Sequence, residues 1–509
     1  MKHFWTKKKP AGPDTEYLLD EFEGNNKVIT TANVKTILAD SSDIIYQEHY
    51  INGNRHLPVT VVFVDGMVDV KLVSDDILKP LTQEKDLGEV KGFDDLIGLI
   101  EHGTVYHASR KIQTSLGDVL NEILNGSVAL IFDKEKRAVT FDAKGFEKRG
   151  ITEPTGENAV KGPKDAFVEV LRVNTSLVRR RIRTPYLRIR ETTVGRQSRT
   201  PIAVVYIENL TNENIVREVI ERLDSISEDA VIAAGFIEEY IVDKRGSPFP
   251  QVLSTERADK FCANIIEGRV GILIDGMPVA YIAPAGIILF FQAPEDYAYH
   301  FTISSVIRLL RYVSSSIALL LPAFYVAVTT FHQEMIPTVL AITIIRSKTE
   351  VPFPTVSSII GMLIAFEMLL EAGIRLPRAI GQAVSIIGAL VVGQAAVQAK
   401  LISPVVVIII AVTGIAGFII PNQDMNNAIR LLRMILVLCA SIAGLYGLSL
   451  AFIMLVYHLS TIETFGVPYL TPFAPSEVKQ MADDTLFRMP LPFMMKRPQT
   501  LKTINKKRR

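Results

Sequence analysis

MILVLCASIAGLYGLSLAFIMLVY, residues 434–457, is a run of 24 residues without a formal charge. Three similar runs precede it, at residues 312–331, 379–399 and 401–423, of 20, 21 and 23 residues. A helix rises about 1.5 Å per residue and a bilayer core is about 30 Å thick, so about 20 apolar residues suffice to cross. A soluble helix keeps some face for water and rarely lacks charge for so long. The runs therefore predict an all-α polytopic membrane domain over residues 296–460, with four full spans.

Two weaker apolar segments lie between the first and second runs. Residues 335–345 are apolar over only 11 positions, which suits a broken or re-entrant element better than a straight span. Residues 354–370 are apolar but carry Glu367 and lead into Glu371 and Arg375. This segment either crosses with its carboxylates at one end or lies in the membrane interface.

The first half of the chain mixes charged and apolar positions, which predicts two small α/β subdomains. Asp-Gly turns predict hairpins at residues 59–72 and 269–282, and apolar runs predict a strand pair at 127–141. Helical spacing occurs at residues 34–45, 93–100, 116–124, 166–183, 214–223 and 257–266. We expect a disordered lead-in, two α/β subdomains and a basic tail at residues 1–29, 30–150, 151–295 and 461–509.

Basic residues predict the orientation in the membrane. No apolar core follows the basic residues of MKHFWTKKKPAGPD at positions 1–14, so we expect no signal peptide. Residues 485–509 contain eight Lys or Arg and no acid, and basic flanks stay cytoplasmic. With both termini cytoplasmic, the number of crossings is even: four if the two weaker segments do not cross, six if both do.

Motifs for catalysis or cofactor binding are absent from the sequence. It contains no GxxxxGK[ST] phosphate loop, no HExxH, no GxSxG and no EF-hand loop. Cys262 and Cys439 are far apart and form no CxxC pair. We therefore expect a non-enzymatic protein with no catalytic residues, no cofactor and no metal site.

An arginine cluster occupies the middle of the soluble half. It is opposed only by Glu191 and comprises Arg179, Arg180, Arg181, Arg183, Arg188, Arg190, Arg196 and Arg199. One interpretation is a solvated face with salt bridges to acids elsewhere in the fold. The alternative is contact with anionic headgroups or an acidic partner subunit, through Arg179, Arg180, Arg181 and Arg183. Nucleic-acid binding ranks last, because only Tyr186 interrupts the arginines as an aromatic residue.

Polar residues within the apolar half are the other candidate site. Glu367, Glu371 and Arg375 are spaced i, i+4 and i+8 and so share one helical stripe. Ionisable groups in a membrane are costly and usually face a bundle interior or water, so the stripe either lines an aqueous path or packs through internal ion pairs. Three glutamines, for which interhelical hydrogen bonding is the simpler interpretation, are further candidates: Gln382, Gln394 and Gln398.

The chain resembles the A subunits of spore germinant receptors of the GerA type over nearly all of its length. Motifs that carry the resemblance include VDGMVD (64–69), NTSLVRRRI (174–182), SPFPQVLSTERADK (247–260), EGRVGILIDGMP (267–278), QAPEDY (292–297) and FEMLLEAGIRLPRAIGQAVSIIGALVVGQAAV (366–397). Ala258 stands where the family usually has Pro after TER, and residues 161–167 read KGPKDAF where RGPRxGF is common.

The resemblance implies a nutrient sensor of the inner spore membrane. It implies a B-type multi-span subunit and a C-type lipoprotein subunit as partners, and a homo-oligomer that forms or gates an ion conduit. Two alternatives stay open: an accessory spore membrane protein without a sensing role, and a secondary transporter. A transporter should show paired broken segments, and the sequence offers one, at residues 335–345.

Overall fold

The computed structural model describes residues 28–83, 98, 109–145, 154, 156–157, 161–375, 393–474 and 484–508. Two antiparallel five-stranded sheets, each with helices on both faces, build the first half, and long helices build the second. The predicted fold class, an α/β half followed by an all-α apolar half, is thereby confirmed.

The first sheet has the strand order β1-β2-β4-β5-β3. Its strands are Ile44–Tyr50 (β1), Pro58–Val64 (β2), Arg110–Gln113 (β3), Val128–Phe132 (β4) and Arg137–Phe141 (β5). Side chains alternate along a strand, so Val61 and Phe63 pack on one face and Val62 and Val64 on the other. The first face is covered by α2, a helical stretch made of Val70–Leu72, Val73–Leu78 and Lys79–Gln83. The second face is covered by α1 (Thr31–Ile37) and α3 (Leu116–Leu124).

The second sheet has the order β6-β7-β9-β10-β8. Its strands are Leu187–Val194 (β6), Thr200–Ile207 (β7), Leu253–Thr255 (β8), Val270–Ile274 (β9) and Ala280–Ala283 (β10). One face packs on α5 (Glu213–Asp224) and α6 (Ala234–Ile241), the other on α4 (Leu171–Arg181) and α7 (Ala258–Ile266). The core on the α4 and α7 side continues into the apolar half through Ala318, Met425 and Leu455.

Several local predictions for the soluble half were wrong. Residues 67–72, predicted as the second strand of a hairpin, lead into α2 because Asp69 caps its start, accepting from the amides of Lys71 and Leu72 at 3.0 and 3.2 Å. Ile44, predicted to be helical, begins β1. Strands β3, β6 and β8 were missed because they are short or carry polar residues. The predicted helix at 93–100 lies outside the described residues except for Gly98.

In the part of the apolar half that the structure describes, residues 393–398 are helical and five longer helices occur: Phe301–Phe331 (α8), Thr338–Lys348 (α9), Thr355–Arg375 (α10), Pro404–Phe418 (α11) and Gln423–Ser460 (α12). Among the described residues, Phe301–Phe331, Thr355–Gly373 and Gln423–Ser460 are long and apolar enough to cross a membrane. The 31 residues of α8 extend about 46 Å, so it projects beyond a 30 Å bilayer core.

α12 is a helical hairpin. Its backbone leaves the helical conformation at Ala443 (φ −134°) and Gly444 (φ 59°). A Cβ on Gly447 would lie 2.3 Å from the backbone oxygen of Cys439, whereas residues eight apart in a straight helix are about 12 Å apart. The chain therefore reverses at Gly444 into two arms, residues 423–442 and 445–460.

The first arm begins, and the second arm ends, at the second sheet unit. Ser254 Oγ donates to Asp424 Oδ2 at 2.9 Å, and Ser247 Oγ lies 2.9 Å from His458 Nε2. The hairpin tip lies at the far end of α8, where a Cβ on Gly444 would be 2.8 Å from that of Phe331. The first arm has 20 residues and is about 30 Å long. The same length counted back along α8 from Phe331 ends at Arg311, so Arg311 lies near the level at which the first arm begins.

α11 connects the same two levels. Val406 and Ile410 of α11 pack with Val326 of α8, whereas Ile420, just after α11, joins the core beside the second sheet. α11 therefore approaches the soluble half from the far side. The ion pair of Lys400 with Glu350, at 2.7 Å, places the segment before α11 beside the loop that precedes α10.

The apolar runs predicted from the sequence correspond to different elements of the structure. The run 312–331 lies in α8, 354–370 lies in α10, and 434–457 is divided between the two arms of α12. The run 401–423 forms the 15-residue α11, and residues 335–345 belong mainly to the 11-residue α9. Most of the run 379–399 lies outside the described residues.

Candidate functional site

A buried ionic cluster lies where the soluble half meets α8. Asp296, on the short 3-10 turn Pro294–Tyr297, is fixed by the amide of Ala293, which donates to its Oδ2 at 3.2 Å. Arg308 Nε lies 3.0 Å from the same oxygen, and Arg311 NH1 lies 2.8 Å from each carboxylate oxygen. The arginines are three residues apart on α8 and therefore share a face.

The segment 484–508 closes this cluster from the other side. Arg308 NH1 donates to both the backbone oxygen and the Oδ1 of Asp484, each at 2.9 Å. Arg488 NH1 donates to the backbone oxygens of Asp296 and Tyr299, each at 2.8 Å. We call Asp296, Arg308, Arg311, Asp484 and Arg488 the junction cluster.

The junction cluster joins three separate parts of the chain. Breaking a buried ion pair by removing one partner costs about 3–5 kcal/mol, because the other charge stays buried without compensation. Asp296, Arg308 and Arg311 are buried and ion-paired with one another, so this cost applies to them. Displacement of the soluble half is therefore coupled to displacement of α8 and of the segment 484–508.

A second set of contacts joins the soluble half to the α12 hairpin. Besides the bonds at Asp424 and His458, Lys244 Nζ donates to Thr461 Oγ1 at 2.5 Å. Tyr281 donates to Glu238 at 3.2 Å, and burial, with the nearby charge of Asp424, raises the pKa of the Glu238 carboxyl. The soluble half thus contacts α8 and both ends of the hairpin.

Glu367 forms an ionic cluster within the apolar half, with partners the sequence analysis missed. Arg430 Nε lies 2.7 Å from Oε2 of Glu367, and Arg433 NH2 lies 2.7 Å from Oε1. Arg433 is 2 % exposed, and it lies ten residues, about 15 Å, along the first arm from Gln423. Because the arginines directly precede the run 434–457, they resemble flanking charges in the sequence. We call Glu367, Arg430 and Arg433 the Glu367 cluster.

The other polar candidates that the structure describes in this half make no bond to the Glu367 cluster. Glu371 pairs with Arg375 at 2.6 Å, and both side chains are exposed. Gln394 and Gln398 are exposed, and Gln382 lies outside the described residues. Lining of an aqueous path by these residues therefore stays a prediction.

The arginine cluster of the soluble half makes contacts within the chain. Arg179 is buried and binds Asp43 with two bonds, of 2.7 and 2.9 Å. Arg183 NH1 donates to Asn125 Oδ1 at 3.1 Å, and Arg181 pairs with Asp165. Arg180 is half-buried. Since Asp43 and Asn125 belong to the first sheet unit, Arg179 and Arg183 link the two units, and contact of this cluster with lipid or a partner stays a prediction.

A cavity of about 790 Å³ separates the second sheet unit from the segment 484–508. Three carboxylates and six cations line it: Asp259, Glu267, Asp484, Lys161, Lys260, Arg269, Lys496, Arg497 and Arg508. Arg508 crosses it, pairing with Glu267 at 2.8 Å. Within the described part of the chain, no group of three or more His, Cys, Asp or Glu could hold a metal ion.

Comparison with known proteins gives a consistent result. The family described as Bacillus/Clostridium GerA spore germination protein matches residues 32–500. Spore germination protein KA of Bacillus subtilis (strain 168) is 39% identical over 477 residues, which cover 94% of this chain and 87% of that protein. Spore germination protein GerLA of Bacillus cereus is 36% identical over 483 residues, 95% of this chain and 97% of that protein.

Similarity to a solved structure was also found. It is the crystal structure of the N-terminal domain of the A subunit of the Bacillus megaterium spore germinant receptor GerK3. The match has 28% sequence identity and a TM-score of 0.39, and it covers 50% of this chain and 92% of that one.

Proposed function

This chain belongs to the Bacillus/Clostridium GerA family of spore germination proteins, and on that premise we propose that it is the A subunit of a nutrient-sensing germinant receptor in the inner spore membrane. A role in spore germination follows from the family. Nutrient sensing, the ion conduit and assembly with a B-type multi-span subunit and a C-type lipoprotein subunit are our proposal, as is a non-enzymatic mode of action.

We propose six membrane crossings, with both termini on the cytoplasmic side. α8, α10, α11 and the two arms of α12 supply five passages, and the charge-free run 379–399 of the sequence predicts the sixth. Six is an even number, as the basic residues of the segment 484–508 require. Six crossings do not require residues 335–345 to span the membrane, because the α12 hairpin crosses it twice.

The junction cluster is the observation that supports a receptor most directly. A ligand shifts a closed–open equilibrium only if it binds one of the two states better. A nutrient bound by the receptor complex must then displace elements that reach the membrane helices. The buried bonds of Asp296 to Arg308 and Arg311 couple the soluble half to α8 without a flexible linker.

The conduit, in this proposal, forms between copies of the chain. Many apolar side chains of α12 are exposed in the single chain, among them Ile442, Tyr446 and Tyr457, at 79%, 74% and 70%. Lipid, other copies or the B-type subunit can cover them. Glu367 and Glu371 would then form rings of carboxylates, a feature of cation-selective pores.

Germination of spores that lack this chain tests the proposal. We expect loss of the response to one class of nutrient and recovery when the intact chain is restored. An unchanged response to every nutrient class would indicate the accessory alternative. Purified protein in liposomes separates a conduit from a transporter: a conduit passes ions down their gradient without a co-substrate, whereas a transporter requires one.

A further inference from the structure

The segment 484–508 exposes an unusual amount of apolar surface for a basic segment. Phe487, Leu491, Phe493 and Met495 are 50–64% exposed, and Met489 is 38% exposed. Between them, Arg488 and Met494 are buried, so these two side chains hold the segment in place. The exposed row is therefore a fixed surface that presents apolar groups outward.

Contacts with α8 fix the height of this surface relative to the membrane. Tyr312 donates to the backbone oxygen of Thr485 at 3.2 Å, and the amide of Arg488 donates to Ser305 Oγ at 3.0 Å. The charge-free run of α8 begins at Tyr312, so the apolar core begins near Arg311. From there to Ser305 is six residues, about 9 Å. Headgroup regions add about 5–8 Å on each side of the core, so residues 485–488 extend from the core edge at Tyr312 to about the outer limit of the headgroups at Ser305.

α8 itself carries exposed apolar groups at this height. Phe301, Ile303, Val306, Leu309 and Leu310 are 37–65% exposed, although they precede the charge-free run 312–331. The apolar surface of the segment 484–508 thus lies at the same height as that of a helix that enters the membrane.

The charge of the segment favours one kind of surface. Lys496, Lys502, Lys506 and Lys507 are exposed, and residues 485–508 contain no carboxylate side chain. Each cation near an anionic leaflet strengthens binding to it. An apolar row flanked by lysines is the pattern of segments that lie in a membrane interface.

We propose that residues 487–496 form an interfacial anchor, inserted into the leaflet that faces the soluble half, with the neighbouring lysines on anionic phospholipid headgroups. The anchor is bonded to the junction cluster through Arg488. It would hold the foot of α8 at a fixed depth. This inference requires only that the chain is embedded in a membrane and does not depend on nutrient sensing.

Depth-dependent fluorescence quenching tests the anchor on the full chain. Cys262 and Cys439 are first replaced by Ala, and Phe493→Cys carries an environment-sensitive fluorophore. Tyr50→Cys is the matched control. Tyr50 is 42% exposed on β1, in the first sheet unit. That unit contacts β6, which lies at the opposite edge of the second sheet from β8, the strand that contacts α12. Each labelled protein is reconstituted in vesicles of about three parts phosphatidylcholine to one part phosphatidylglycerol.

We expect a spin label on the lipid acyl chains to quench the Phe493→Cys probe at least about threefold more than the Tyr50→Cys probe, and aqueous iodide to do the reverse. Iodide quenching of both probes alike would overturn the anchor. Protection of the Phe493→Cys probe from both quenchers would also overturn it, because it would show that a second copy of the chain covers the surface.

The lysines are tested in the same preparation. Lys496, Lys502, Lys506 and Lys507, all changed to Gln, should reduce lipid quenching about twofold or more in the anionic vesicles and leave it unchanged in pure phosphatidylcholine. Four lysines of the first sheet unit changed to Gln, at positions 35, 71, 79 and 136, are the control and should have no effect. Equal effects of the two sets would overturn the assignment of anionic headgroups.

Discussion

Arg308 Nε lies 3.0 Å from Asp296 Oδ2, and each of these side chains is 1% exposed. The pair joins the last turn of the soluble half to the helix that enters the membrane. Two further elements depend on it, because Arg488 donates to the backbone of Asp296 and Asp484 accepts from Arg308.

Asp296→Asn should destabilise the protein by about 3–5 kcal/mol, because it leaves Arg311 buried without its carboxylate partner and Arg308 with Asp484 alone. Thermal unfolding of the detergent-solubilised chain is the measurement. Asp75→Asn is the control: it breaks the exposed pair with Lys79 and should leave the stability nearly unchanged. Equal losses for the two variants would contradict a structural role for the junction cluster.

Glu367→Gln should reduce cation flux about threefold or more in reconstituted vesicles, because it leaves Arg430 and Arg433 as uncompensated positive charge beside the proposed path. Glu371→Gln should weaken cation selectivity with little effect on stability, since its pair with Arg375 is exposed. Flux is normalised to assembled protein. Unchanged flux and selectivity in the double variant would assign these carboxylates to packing and direct attention to Gln382, Gln394 and Gln398.

Gly447→Val should disrupt the α12 hairpin and cost several kcal/mol, because a Cβ at this position would lie 2.3 Å from a backbone oxygen of the other arm. The yield of monodisperse protein and its unfolding temperature report the loss. Gly361→Ala is the matched control: a Cβ there meets nothing within 4 Å, and Ala favours a helix over Gly by about 1 kcal/mol. A hairpin that tolerates Gly447→Val would contradict the close approach of the arms.

Lys506→Cys should resist an impermeant thiol reagent in intact cells, whereas Val339→Cys should react. Lys506 belongs to the segment bonded to the soluble half, and Val339, 81% exposed on α9, lies beyond the far end of α8. Labelling in permeabilised cells controls for access to Lys506→Cys. Reaction at that position in intact cells would reject the cytoplasmic placement of the segment and the even number of crossings.

Arg179→Met should separate the two sheet units, because it leaves Asp43 buried and unpaired, at a cost of about 3–5 kcal/mol. We expect faster proteolysis between the units and reduced assembly, with nutrient preference retained. Arg183→Gln, which loses only an exposed bond to Asn125, should have a much smaller effect. A changed nutrient preference at normal protein level would assign the cluster to ligand choice.

Residue pattern alone predicts much of the fold. Charge-free runs need no partner to be recognised, because the cost of a charge in lipid falls on each residue separately. The α/β character of the first half and the β9–β10 hairpin follow from local apolar patterns and the Asp275-Gly276 turn. β6 escaped prediction because its apolar positions alternate with arginines whose partners are distant in sequence.

The candidate sites show more clearly what residue pattern alone leaves unpredicted. Glu367 was identifiable because a carboxylate in an apolar run is costly, but its partners lie 63 and 66 residues away. Arg179 was identifiable as part of a cluster, but Asp43, which neutralises it, lies 136 residues away. Sequence spacing identifies neighbours within one helix, whereas these pairs depend on how separate elements pack.

The sequence by itself determined that this chain has an α/β half and a helical membrane half, and it determined the family. Only the tertiary structure decided that residues 434–457 fold back at Gly444 and that Asp296 holds two arginines of α8. Hydrophobicity and local spacing are properties of neighbouring residues, so they can be read along the chain. A reversal at one glycine and a buried ion pair between distant segments exist only when packing brings those segments together.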